Sequence, residues 1–166
     1  MALALATLHV ALMAIAAAFF IAAAVSDATT YRIPNYICGL LLLLFPVFVM
    51  TAPEPIDWHQ NAGVFALVAL SGFAMFLGHL AGAGDIKLLS IASLWAGPHL
   101  IAVLLVVTAL SGGVLSIFMA VLTYLRHRKA QDKPALNKVP IPYGIAIASG
   151  GLATLVLMVQ PILFPA

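Results

Sequence analysis

The segment Ile86-Lys87-Leu88-Leu89-Ser90-Ile91-Ala92-Ser93-Leu94-Trp95-Ala96-Gly97-Pro98 decides how many helices this chain contains. The residues before Gly97 rise only about 17 Å as a helix, well short of the ~30 Å hydrocarbon core of a bilayer. Gly97-Pro98 then breaks the helix, because proline lacks an amide hydrogen and disfavours helix in the residue before it. The run that follows, Pro98 to Leu125, would extend about 42 Å, enough to tilt or to project beyond a membrane. The short segment is therefore either a half-length crossing in a thinned or protein-shielded place, or a re-entrant stretch.

That lipid is the relevant solvent follows from composition. Of 166 residues, 64% are hydrophobic and 7% charged, against roughly 25% charged in soluble domains. A soluble domain of this size buries only about 70% of the surface its unfolded chain exposes, so much of this apolar surface would face water. A soluble enzyme, a disordered chain and a nucleic-acid binder are all excluded. Besides the short segment and its successor, apolar runs cover Ala4 to Val25, Tyr36 to Thr51, Asn61 to Leu80 and Tyr143 to Leu163. The first run lacks a basic n-region and exceeds the length of a signal-peptide core, so it reads as a retained helix rather than a cleaved signal.

Charge placement settles the count. With six crossings, Arg32, Lys87 and the cluster Arg126, Arg128, Lys129, Lys133 and Lys138 share one side, which the positive-inside rule makes cytoplasmic. If the short segment did not cross, the cluster would lie opposite Arg32 and Lys87. The expected architecture is all-α: a polytopic integral membrane protein with six transmembrane helices, a short fourth one, and both termini outside. Residues 1–166 form a single membrane-embedded domain in this reading.

Of five acidic residues, Glu54 and Asp57 fall in an outer loop and Asp132 in the basic inner one, where solvation or loose pairing suffices. Asp27 and Asp85 differ, since each lies at the edge of an apolar run on the same inner face, where a carboxylate is costly and functional by default. In Gly82-Ala83-Gly84-Asp85-Ile86-Lys87-Leu88, the glycines give the backbone unusual freedom and leave room for a substrate chain. Asp85 is expected to cap the short helix, and Asn35, after Ile33-Pro34, to cap the second. Two adjacent carboxylates tend to share a proton, so one can take a proton from water while the other donates one to a carbonyl or leaving amine. Such chemistry needs no metal and no cofactor. Cys38 is the one cysteine, and the five histidines show no metal-ligand spacing.

Asp27 with Ile33-Pro34-Asn35, and Gly82-Ala83-Gly84-Asp85-Ile86-Lys87-Leu88, resemble the two signature segments of the type IV prepilin peptidases (peptidase family A24), GxGD intramembrane aspartic proteases. Val139-Pro140-Ile141-Pro142-Tyr143-Gly144 is similar to that family's proline-tyrosine-glycine element. In length the chain resembles the short CpaA/TadV branch serving Flp-type or Tad pili. The larger members' domain with paired CxxC motifs has no counterpart here, so the resemblance implies a peptidase without a methyltransferase domain. It further implies a bacterial inner-membrane location, an Asp27/Asp85 catalytic pair at the cytoplasmic face, and a prepilin substrate with a basic leader and a hydrophobic helix.

Other residues have blander readings. Lys87 anchors at the interface, tunes the acid, or meets a substrate carboxylate. Gly82 and Gly84 shape the site; Ile33, Pro34 and Asn35 support it; Tyr143 and Gly144 either line it or sit at the interface. His79 is expected to stay outside the chemistry. Ser111-Gly112-Gly113 and Gly150-Gly151 mark close helix contacts, and the basic loop touches anionic lipid. A competing reading makes Asp27 and Asp85 the cation or proton sites of a small transporter, though such sites usually lie near the midplane and accompany internal repeats.

Overall fold

The computed structural model describes residues 2–127 and 141–163. They form five helices, α1 (Ala2–Thr30), α2 (Asn35–Thr51), α3 (Trp58–Leu77), α4 (Ala83–His127) and α5 (Tyr143–Leu163), with no strand among the described residues. Arg128, Lys129, Asp132, Lys133, Lys138, Val139 and Pro140, together with the extreme chain ends, lie outside the described residues. Four stretches are long and apolar enough to cross a membrane, Leu5–Thr30, Trp58–Leu77, Ala83–Leu125 and Tyr143–Ile162, while α2 is a shorter apolar helix. Together they make a multi-pass membrane protein. Helices are the economical solution in lipid, because every backbone amide and carbonyl finds its partner within its own segment.

The two runs expected as separate fourth and fifth helices are both present, as two helical arms joined at a kink and labelled together as α4. Its single non-helical residue is Gly97, at φ 58° and ψ −171°. A left-handed φ is cheap only for glycine, and Pro98 is pre-set to begin a new helix, so the chain turns within one residue and no loop is needed. The turn leaves the Leu94 carbonyl without its usual donor, because the residue four positions on is Pro98. Asn61 of α3 fills that role, its Nδ2 donating to the Leu94 oxygen at 2.8 Å. Asn61 is the only residue of α3 that is buried.

Contacts between glycines and neighbouring helices fix the direction of each segment. Gly97 packs on Asn61 near the start of α3, whereas Gly72 near its end meets Ile86. The first arm of α4, residues 83–96, therefore runs antiparallel to α3. In the second arm, residues 98–127, Gly150 of α5 abuts Leu104 and Thr108, while Gly112 meets Tyr143 and Ala146. That arm runs antiparallel to α5 and back toward the end of the bundle from which the first arm came. α1 places Phe20 against Gly151 and Asp27 against Gly144. The close contacts expected at Gly150 and Gly151 are present, but Gly113 has nothing within 4 Å.

The core is aromatic toward the Gly97 end. Trp95 lies between Phe45 and Phe48, with ring centroids 5.8 and 4.8 Å away, and its Nε1 donates to the Leu41 carbonyl at 3.2 Å. His9 stacks on Phe48 at 4.4 Å, with its Nδ1 3.2 Å from the Thr51 hydroxyl. α3 begins a turn earlier than the apolar run suggests, because Asp57 caps it, accepting from the His59 amide at 3.2 Å and the Gln60 side chain at 2.7 Å. Asp57 is thus a helix cap rather than a merely solvated loop acid.

Candidate active site

Asp27 lies in the last turn of α1. The helix ends beyond it in a left-handed Tyr31 (φ 52°), whose amide donates to the Asp27 carbonyl at 2.9 Å. Ser26, Thr29 and Thr30 hydroxyls bond nearby carbonyls and tie down the same turn. The Asp27 side chain is 5% exposed, and its Oδ2 accepts from the Gly144 amide at 2.6 Å. Gly144 is the second residue of α5, where backbone amides have no helical partner and the helix dipole favours a negative charge. Space at this contact is closed: a Cβ on Gly144 would stand 2.8 to 3.0 Å from Asp27 Oδ2, Cβ and Cγ.

Asp85 is half-buried near the start of α4 and accepts from the backbone amide of Gly82. It is therefore the third residue of the helix, reaching back over the first turn, and not the residue that precedes the helix as expected. Asp27 lies within electrostatic reach of it. The preceding glycines do not supply unusual backbone shape, since Gly97 is the only glycine with positive φ among the described residues. Gly82 supplies room instead, because a Cβ there would stand 2.9 Å from Asp85 Oδ2. Gly84 is looser, with Ile33 Cβ at an ordinary 3.5 Å from the corresponding position.

The two sequence segments dock on one another. Ile33 lies over Gly84, and Lys87 Nζ donates to Asn35 Oδ1 at 3.1 Å. Asn35 consequently does not cap α2: Pro34 occupies the cap position in an extended conformation, with no side-chain cap bond. Tyr143 packs against Gly112 and is partly exposed, so it is the backbone of Gly144, rather than the Tyr143 ring, that meets Asp27. His79 is exposed in a left-handed turn after α3. Among the described residues, no group of three or more His, Cys, Asp or Glu side chains could hold a metal ion.

Sequence reasoning missed Asn61, whose partner lies 33 residues away, and the Lys87 to Asn35 bond across 52 residues. Neither has a local signal, although a carbonyl orphaned four residues before Pro98 did announce that some donor was needed. The resulting site holds two carboxylates from α1 and α4 at one end of the bundle, each fixed by a backbone amide. It has the parts for acid and base catalysis by a carboxylate pair.

A family model described as the type IV leader peptidase family matches residues 14–117. No curated protein and no solved structure matches the chain.

Proposed function

The chain belongs to the type IV leader peptidase family, and from that premise we propose that it is a membrane aspartic endopeptidase that removes the leader of Flp/Tad-type prepilins with an Asp27/Asp85 dyad. The observation that carries the dyad is the convergence of Asp27, held by Gly144, and Asp85, held by Gly82, within electrostatic reach of each other. One ionised carboxylate takes a proton from water as its oxygen attacks the scissile carbonyl carbon. The other, protonated, stabilises the developing oxyanion. The C–N bond then breaks as the leaving amine accepts a proton, which leaves a new carboxyl terminus on the leader and a new amino terminus on the pilin. The pair acts as a unit, so base and acid are properties of the dyad rather than of either residue.

The proposed setting is the bacterial inner membrane, crossed six times, with the dyad at the cytoplasmic face. The alternating segment directions and the basic Arg32 and Lys87 at the Asp27 end support this orientation. The test is co-expression with a Flp-type prepilin, scoring leader removal by the parent, Asp27→Asn and Asp85→Asn. Both variants are expected to insert and leave the prepilin uncut, and parental cleavage by either would defeat the dyad. For topology, Glu54→Cys and Leu80→Cys in a Cys38→Ser background should react with an impermeant thiol reagent from opposite sides.

A further inference from the structure

α3 packs on α4, and α2 packs on α1 and α4. Between α2 and α3 the first arm of α4 forms the floor of an apolar groove of about 560 Å³, with Gly39 and Leu42 on one wall, Phe65 and Phe73 on the other, and Ile86 and Lys87 below. We propose that this groove seats the apolar transmembrane helix of the peptide substrate on the mature side of the cleaved bond, with Lys87 pairing with a carboxylate near that helix's cleaved end. The inference rests on the proposed peptidase activity.

Three features select this occupant. The floor residue Ile86 directly follows Asp85, so a helix lying in the groove ends beside the carboxylates. Gly82-Ala83-Gly84, with no side chain larger than a methyl and with Ile33 over its Gly84 end, runs from the groove lining at Ala83 to Asp85, and its exposed Gly82-Ala83 part is a low sill over which an extended peptide can pass. Among the described residues, Lys87 is the one charged residue lining the groove, its Nζ donating to the neutral Asn35 Oδ1, and a cation at the edge of lipid is stabilised by an anionic partner. In a bilayer the hydrophobic effect does not drive helices together, so affinity must come from shape and from such polar pairs. The groove supplies both.

Gly39 gives a clean test, because a Cβ there meets nothing within 4 Å and a large side chain would fill the groove without displacing the fold. Gly113, also with nothing within 4 Å but on the second arm of α4, serves as control. With full-length protein and Flp-type prepilin in phosphatidylethanolamine/phosphatidylglycerol vesicles, Gly39→Trp should raise KM roughly tenfold with kcat within about twofold, the signature of lost ground-state binding. Gly39→Leu should have a smaller effect in the same direction, and Gly113→Trp should behave as parent. A photo-crosslinker at position 39 in the Asp85→Asn protein should capture the uncut prepilin through its apolar helix. Lys87→Met should raise KM, Lys87→Arg should restore it, and neutralising the acid near the substrate's cleaved end should remove the difference. An unchanged KM for Gly39→Trp in a cleaving enzyme, or crosslinks to lipid only, overturns the groove assignment and leaves the peptidase standing. Capture of prepilin from position 39 by a parent that cannot cleave would preserve the groove and reject the peptidase.

Discussion

The tightest contact at the site is also its most informative point of attack. Gly144→Ala adds one methyl group, whose carbon would stand 2.8 Å from Asp27 Oδ2, 2.9 Å from its Cβ and 3.0 Å from its Cγ. Carbon atoms sit comfortably at about 3.5 to 4.0 Å from their neighbours, so the Asp27 side chain or the start of α5 must move by roughly 0.5 to 1 Å. Asp27 cannot rotate away freely, because it is 5% exposed. The displacement breaks the 2.6 Å bond from the Gly144 amide, a charge-assisted contact worth about 1.5 to 3 kcal/mol. If that energy is expressed in the transition state, the rate falls by about 10- to 150-fold. A misplacement of about 1 Å at reacting groups independently suggests ~100-fold. Single-turnover cleavage of a prepilin in vesicles should therefore show kcat reduced about 100-fold. KM should be nearly unchanged, because the groove lies on other helices. Thermal unfolding in detergent separates this from global damage, and the variant should retain a cooperative transition. Cleavage by Gly144→Ala within about threefold of parent would refute the role given to the Gly144 amide.

Two further substitutions probe the neighbouring geometry. Gly82→Ala should cost about tenfold or more in kcat, since its Cβ would stand 2.9 Å from Asp85 Oδ2, whereas Gly84→Ala, facing Ile33 at 3.5 Å, should stay within about twofold in the same assay. Asn61→Leu should destabilise the fold by about 1 to 3 kcal/mol by leaving the Leu94 carbonyl unpaired, read as a lower unfolding midpoint in a denaturant titration, with residual activity per folded molecule preserved.

What the sequence disclosed follows the range of the physics involved. Breaks at Pro34 and Gly97-Pro98 were legible because proline and glycine act on their own backbone. Asp27 and Asp85 stood out because carboxylates are scarce in an apolar chain and expensive near lipid. The meaning of the glycines before Asp85 was misread, since a glycine in sequence does not say whether it serves a dihedral angle or a shortage of space. Here backbone freedom is needed at Gly97, with φ 58°, and clearance at Gly82. Asn35 was assigned to its own helix because capping is a local rule, but Lys87, 52 residues on, competes for the same oxygen. Such competition is decided by tertiary packing, to which local rules are blind.

The one-residue break also sets the depth of the site. Gly97 lies twelve positions after Asp85, about 18 Å of helical rise against a ~30 Å hydrocarbon core. Around Gly97 the bundle exposes Glu54, Asp57, Gln60 and His99, which favours placing that end in water. A flat bilayer of ordinary thickness would then leave Asp85 about 10 Å inside the opposite boundary. There an uncompensated carboxylate is costly, and hydrolysis still needs water. Both demands are met if lipid thins beside the first arm, or if water enters over the Gly82-Ala83-Gly84 sill. α4 makes up the length elsewhere, its second arm continuing past the level of Gly112, where it meets Tyr143, to His127. With the proposed dyad, the short arm would thus bring the carboxylates to a peptide bond at the edge of the membrane, while the long arm continues beyond the level of Gly112.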